Sequence, residues 1–541
     1  MLDRNGLPPH AVARWAALTP DAVASAHVDG RSLTYAALHA EATAWAGALS
    51  RFGVTAGTHV ATLLPPGFSG HRALLALGWL RAVEVPLNTA YVGAMLRHAL
   101  TLSDASHLLT THAFWERVSP LVPGLPALRT VVFVDDSDAS RAPGTSWPGG
   151  DLAGEEVRPL GELRLVPADE FAAAAGPGEF AGPDVWDVAS LLFTSGTTGP
   201  SKAVITPWGL AVQMWSWVPD DTLAPGEGLF NPLPMFHNSG RSGFAYAMRR
   251  GGRFVFRDKF SATSFWDDVR ATDARVAALV GPMTALLWGA DATPRDADNP
   301  LRSVILGPMI PEMEAFEKRF GVRVATCYGQ TEVGAPITSG WDHGPWEATG
   351  RDRTSYPWPE IRLVDAHDHP VPDGAVGELI VRSAEPWALN LGYHNDPAET
   401  VRAWRNGWFH TGDLFRRDPE GWYTFFDRRK DAIRRRGENI SSFEVERAVA
   451  EHPAVVECVA VGVPSGLGDD ELLAAVLVND PAFAPASLVE FLDGRLPAFM
   501  VPRYVRVLDE FPRNSTTGRV RKDELRALVA EERGWDRRGD A

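Results

Sequence analysis

An apolar run, residues 185–193, leads into the loop Thr194-Ser195-Gly196-Thr197-Thr198-Gly199-Pro200-Ser201-Lys202. Small and hydroxyl-bearing residues at this density, ending in lysine, suit a polyphosphate. Gly196 and Gly199 let the backbone bend back so that N–H groups converge on oxygen atoms. Ser195, Thr197 and Thr198 add hydroxyl donors, and Lys202 adds a compact point charge for β- and γ-phosphates. The pattern over 208–218 predicts a helix whose N-terminus faces the same anion. The spacing G-x-x-x-x-G-K-[ST] is absent, which counts against a kinase or GTPase.

The chain around this loop has 541 residues, too many for one compact unit, so a large lobe and at least one smaller lobe are expected. Helical spacing over 32–52 and 70–82 alternates with strand-like runs at 58–63 and 131–134. That alternation predicts a layered α/β domain. Residues 136–184, rich in Pro, Gly, Ser and Ala, read as a surface connection. From residue 361 the pattern turns β-rich, with turn signals at Pro372-Asp373-Gly374 and Asp418-Pro419-Glu420-Gly421. A charge-dense stretch, 427–438, leads to an α+β tail with helices expected at 442–449 and 487–496 and a strand at 455–463. Net charge is −16, so nucleic acid is not an expected partner, since phosphate backbones need a basic face. Two cysteines, Cys327 and Cys458, build neither a disulfide framework nor a zinc site. With no signal-peptide pattern at the start and no span-length apolar run, a cytoplasmic location without a membrane span is expected. Oligomeric state is not readable.

Four further segments follow in order: Asn231-Pro232-Leu233-Pro234-Met235-Phe236-His237-Asn238-Ser239-Gly240, Thr326-Cys327-Tyr328-Gly329-Gln330-Thr331-Glu332, Trp408-Phe409-His410-Thr411-Gly412-Asp413 and Asp427-Arg428-Arg429-Lys430-Asp431. With the loop they resemble the signature motifs of the adenylate-forming superfamily, which holds acyl- and aryl-CoA synthetases, peptide-synthetase adenylation domains and beetle luciferases. The resemblance covers nearly the whole chain. It implies a large adenylating domain over 1–429, a smaller mobile α+β domain over 430–541 and a hinge at Lys430. It also implies ATP, Mg²⁺ and CoA as cofactors, with a small-molecule acid as substrate.

Residue by residue, the resemblance places Thr194, Ser195, Gly196, Thr197, Thr198, Gly199 and Lys202 on the phosphates and His237 beside the acid's carboxylate. Tyr328 offers a face for adenine, Gly329 permits close backbone approach, and Thr331 bonds the α-phosphate. Glu332 is the expected Mg²⁺ ligand, a hard oxygen donor. Asp413 would accept the ribose hydroxyls, Arg428 would reach ribose or phosphate, and Gly437 would leave room for a pantetheine arm. Trp215, Asn238, Gly307 and Gln330 join His237 as acid-pocket candidates. Two departures stand out. Leu306-Gly307-Pro308-Met309-Ile310 replaces a Gly-Gly-Ala wall, which points to a narrowed or reshaped pocket and a compact or aromatic acid. Arg519 stands where the family's last signature has Lys, keeping the charge on a bulkier, planar group. Transfer of the acid to CoA is the expected outcome. The alternatives are a diazotase that activates nitrite for an aromatic amine, a stand-alone enzyme that loads a carrier protein, and a non-catalytic nucleotide binder.

Overall fold

The computed structural model describes residues 3–135, 163–194, 201–310, 312–354, 359–428, 433–435, 438–440, 442–465, 469–513, 520 and 522–539. Within these, the large lobe is built on two sheets. One runs in the order Arg164–Val166, Thr130–Phe133, His107–Thr110, His59–Leu63, Val83–Pro86, Val188–Thr194 and Lys202–Pro207. It is parallel except for its last pair. Its strands are mostly buried and rich in apolar residues because helices cover the sheet, with Glu84 and Thr62 as a hydrogen-bonded polar exception. Two of these helices, Tyr35–Arg51 and Phe68–Trp79, pack against each other. Thr34 caps the first by accepting from the Ala37 N–H at 3.1 Å.

The other sheet contains a parallel stretch, Arg323–Gln330, Ser303–Gly307, Ala274–Val280, Gly228–Phe230, Arg253–Phe256 and Val23–His27. Beyond Thr326 the strand Arg323–Gln330 pairs antiparallel with Gly334–Thr338 and carries the sheet into a β-rich part ending at Pro359–Val364. Tyr328, Gly329 and Gln330 therefore sit where the sheet changes from parallel to antiparallel, past the carboxyl ends of the parallel strands, where α/β sheets place ligands. The helix Asn238–Arg250 begins immediately after His237 and stops at Gly251, whose φ of 71° is the left-handed conformation that a helix end favours.

The smaller lobe holds a hairpin, Ile433–Arg435 with Glu438–Ile440, and the sheet Val455–Pro464, Asp470–Val478, Tyr504–Val507, Trp535–Asp536. The helices Ser442–Ala450, Pro485–Leu492 and Lys522–Glu531 accompany that sheet. The chain thus has the expected α/β class, with a large N-terminal lobe and a smaller α+β C-terminal lobe.

Three local expectations are corrected. No helix follows the phosphate loop directly. Lys202–Pro207 is a strand, antiparallel to Val188–Thr194 with Thr194 opposite Lys202, and the helix Trp208–Gln213 starts only after Pro207. The β-branched run Val204-Ile205-Thr206 favours a strand, so six strand residues stand between Ser201 and the helix. Within the segment expected to be irregular, Arg164–Val166 and Ala168–Ala174 form a strand and a helix. Met309 and Ile310 turn into the core beside Met313 and Phe316 rather than forming a pocket wall.

Candidate active site

A cavity of about 640 Å³ opens between the lobes. The described phosphate-loop ends, Thr194 and Lys202, line it, together with His237, Asn238, Gly329, Gln330, Thr331, Glu332 and Asp413. The small lobe contributes Glu438, Glu444, Phe499 and Met500. Ser195, Gly196, Thr197, Thr198, Gly199, Lys430, Gly437 and Arg519 lie outside the described residues, as does the Arg428 side chain.

Asp413 is buried, and its Oδ2 accepts from Tyr328 Oη and from Gln330 Nε2, each at 2.7 Å. Gln330 Nε2 also donates to the Thr411 carbonyl at 3.1 Å. Tyr328 is not on the cavity wall; its ring meets Phe415 edge-on at 4.7 Å and its hydroxyl orients Asp413. Behind the loop, Glu378 accepts from the Gly412 N–H at 3.2 Å and pairs with His410 at the same distance. The carboxylate is thereby presented in one orientation, which suits bidentate acceptance from two hydroxyls. Gly329 has a steric reason: a Cβ there would meet the Gly334 carbonyl oxygen at 2.7 Å and Met214 Cε at 2.8 Å.

Glu332 receives a hydrogen bond from Tyr393 Oη at 3.2 Å, and its carbonyl accepts from Asn390 Nδ2 at 2.9 Å. Burial and the Glu332 carboxylate hold the Tyr393 hydroxyl above its ordinary range, so it stays a donor. Among the described residues no cluster of three or more His, Cys, Asp or Glu forms a metal cage. A single carboxylate fits Mg²⁺, which keeps most of its water and shares phosphate oxygens.

Three contacts link the cavity rim. Lys202 Nζ pairs with Glu399 Oε1 at 2.5 Å. Ser201 donates both its N–H and its hydroxyl to Glu444 Oε1, each at 2.8 Å, and burial raises the Glu444 carboxyl above its usual range. His237 Nε2 meets Glu438 Oε2 at 2.9 Å. The last two contacts join the large lobe to the small one.

The cavity wall also carries apolar side chains, among them Met214, Leu233, Val280 and Met283. Trp215 is not on this wall. It is buried in the core against Tyr246, and Trp217 is likewise buried. Gly307 also lies off the wall, but Pro308 abuts Gly281, so the altered segment braces the stretch bearing Val280 and Met283. Burial lowers Arg353 to about 10, and its guanidinium is spent on Gln213 Oε1 and Ser216 Oγ, each at 2.5 Å. It is not on the cavity wall. Sequence reasoning missed Glu378, Tyr393, Glu399, Glu438 and Glu444. Glu438 lay at the end of the charge-dense stretch 427–438. Asp396-Pro397 carried a helix-start signal, with Asp396 capping the Glu399 N–H, that would have placed Glu399 on a first turn. Lys522 Nζ is held within the small lobe by Ser442 Oγ and Glu446 Oε1, at 2.8 and 2.7 Å.

Two family models match the chain: AMP-binding enzyme over residues 12–394 and AMP-binding enzyme C-terminal domain over residues 444–518. A crotonobetaine/carnitine–CoA ligase from Salmonella paratyphi A is 29% identical over 506 residues, covering 92% of this chain and 93% of that one. Another, from Salmonella typhi, is 33% identical over 348 residues, 63% of this chain and 66% of that ligase, just under two thirds of its length. An o-succinylbenzoate CoA synthetase from Bacillus subtilis, bound with a product analogue, superposes with a TM-score of 0.80 at 24% identity, covering 96% of this chain and 98% of that one. An amide bond synthetase from Marinactinospora thermotolerans gives 0.79 at 24% identity over 96% and 99%. Taken with the order of the motifs along the chain, these matches place the protein in the AMP-binding enzyme family, among the adenylate-forming enzymes of acyl-CoA synthetase type.

Proposed function

We propose that this protein adenylates a compact carboxylic acid with ATP and passes the acyl group to CoA, with residues 1–429 forming the adenylating part, residues 430–541 the smaller part and Lys430 the hinge. The observation that carries the reading is the convergence of Lys202, Glu332, Asp413 and His237 on one cavity. Asp413 accepts the ribose hydroxyls. Lys202 meets the β- and γ-phosphates, and Thr331 the α-phosphate. The acid lies with its carboxylate near His237 and its body against Met214, Leu233, Val280 and Met283. A carboxylate oxygen attacks the α-phosphorus in line, the bond to the bridging oxygen breaks, and pyrophosphate leaves. Glu332 would hold Mg²⁺, which when bound would supply charge neutralisation at the phosphates. Arg519 is assigned to the developing charge. In the second step a thiolate sulfur attacks the acyl carbon and AMP departs with the bonding pair.

The apolar side chains Met214, Leu233, Val280 and Met283 on the wall favour a short or aromatic body. The decisive experiment is a pyrophosphate-release screen of aromatic and short aliphatic acids, each with and without CoA. The expected result is pyrophosphate release with one acid class and thioester formation that requires CoA. AMP formation that requires nitrite and an aminoarene and ignores CoA would replace this reading with the diazotase. Acylation only of a carrier protein would replace the acceptor alone.

A further inference from the structure

Lys202 does not present an open charge to the cavity. Its Nζ lies 2.5 Å from Glu399 Oε1 and 4.9 Å from the centroid of the Tyr393 ring. The two side chains are 19% and 17% exposed, so the pair is largely shielded from water and from salt. Glu399 is fixed from behind. Its N–H donates to Asp396 Oδ1 at 3.0 Å, and Arg402 grips its other oxygen. The segment that leads to it is stitched to the strand of Lys202. The Ile205 N–H donates to the Gly392 carbonyl at 2.9 Å, the Leu391 N–H to the Ile205 carbonyl at 3.0 Å and the His394 N–H to the Ala203 carbonyl at 2.8 Å. Because the two backbones form one ladder, the ion pair opens by side-chain rotation and not by separation of the segments.

We propose that Glu399 is a built-in competitor for pyrophosphoryl groups, holding Lys202 whenever β- and γ-phosphates are absent. This rests on the reading of Lys202 as the β/γ-phosphate contact. The carboxylate and a phosphate oxygen are like charges seeking one ammonium, so the site accommodates one of them at a time. Ligands that carry the pyrophosphoryl group, MgATP and magnesium pyrophosphate, must open the pair, whereas AMP and the adenylate need not. If Lys202 is free one-tenth of the time, the apparent Kd of either polyphosphate rises about tenfold. Once the α–β bridge breaks, closure of Lys202 onto Glu399 lowers the hold on pyrophosphate and hastens its departure. Both polyphosphates are weakened alike, so the overall equilibrium is unchanged. Glu399 touches no reacting atom in this scheme and is a positioning residue.

The test is calorimetric binding to the full chain of magnesium pyrophosphate, magnesium α,β-methylene-ATP and AMP. The variants are Glu399→Gln, Lys202→Met and the double substitution, with thermal melts to establish folding; Glu399→Ala carries the same expectation should Glu399→Gln not fold. Glu399→Gln is expected to tighten both polyphosphate probes about tenfold and to leave AMP unchanged. Lys202→Met is expected to weaken both, and in its background Glu399→Gln should change nothing. Polyphosphate affinity no tighter in Glu399→Gln, with Lys202→Met still weakening it, would overturn the competitor alone. If Lys202→Met leaves polyphosphate binding untouched, the phosphate reading of Lys202 fails, and the competitor with it.

Discussion

His237 on the large lobe and Glu438 on the small lobe meet at 2.9 Å, Nε2 to Oε2, on the wall of the cavity. The contact joins the two lobes, so in the proposed two-step reaction, with a hinge at Lys430, it belongs to one stage. Glu438→Gln is expected to slow transfer from preformed adenylate to CoA roughly tenfold, while initial pyrophosphate release stays within about twofold. Single-turnover mixing of each half-reaction separates the two. Equal slowing of both halves would remove Glu438 from the stage-specific role.

Asp413 offers Oδ2 to Tyr328 and Gln330 and is buried at 2% exposure. Asp413→Ala should raise the KM for ATP by about 10–100-fold, since hydrogen bonds to a charged group contribute roughly 1.5–3 kcal/mol. Tyr328→Phe removes one orienting donor and leaves the carboxylate in place, so a rise of only severalfold is expected, measured by the same steady-state titration of ATP.

Glu332→Gln keeps the size of the side chain and removes its charge. Adenylation is expected to fall by roughly 100-fold, in line with loss of one electrostatic contact to the transition state, and the Mg²⁺ concentration for half-maximal rate should rise. A Mg²⁺ titration of pyrophosphate release reads both. An unchanged Mg²⁺ midpoint would move the metal away from this carboxylate.

Arg241 and Glu84 form a buried ion pair at 2.8 Å, and Thr62 Oγ1 donates to the second carboxylate oxygen at 2.9 Å. Removing one partner leaves an uncompensated charge. Arg241→Met should therefore cost about 3–5 kcal/mol, more than a double substitution that removes both charges. Chemical denaturation of the single and double variants checks the order.

Acid should destabilise the fold through His71. This ring is buried, stacks on Phe244 at 4.7 Å and shares a hydrogen bond with Ser25 Oγ, and burial pushes its pKa down to about 3. The unfolded chain binds the proton near pH 6.5 and the folded chain does not, so stability is lost as pH falls from about 6.5 toward 3. At pH 5 the loss from this residue is about 2 kcal/mol. His71→Gln should flatten the slope of stability against pH in that window, measured by urea unfolding.

The parts of this site that were legible in the sequence are those whose chemistry is local. Glu332 follows Tyr328 and Gly329 just past one strand end, and Asp413 follows Gly412 within one strand, so spacing alone keeps each group together. Glu399 was not legible because its partner Lys202 lies 197 residues away and only the sheet brings them together. The strand Lys202–Pro207 was missed for a related reason: it is short, and its pairing partner Val188–Thr194 lies across the loop. Met309 and Ile310 were ambiguous in a different way. Nothing in their order tells whether an apolar side chain after Pro308 turns toward a ligand or toward Phe316.

The division of the cavity wall between the lobes bears on how such a protein diversifies. Met214, Leu233, Asn238, Val280 and Met283 all precede residue 429, whereas Glu438, Glu444, Phe499 and Met500 all follow it. On the proposed function, the residues that meet the acid and those that meet the acceptor are then inherited on separate stretches of chain. Drift in one stretch is checked by the other where the two meet, at His237 with Glu438 and at Ser201 with Glu444.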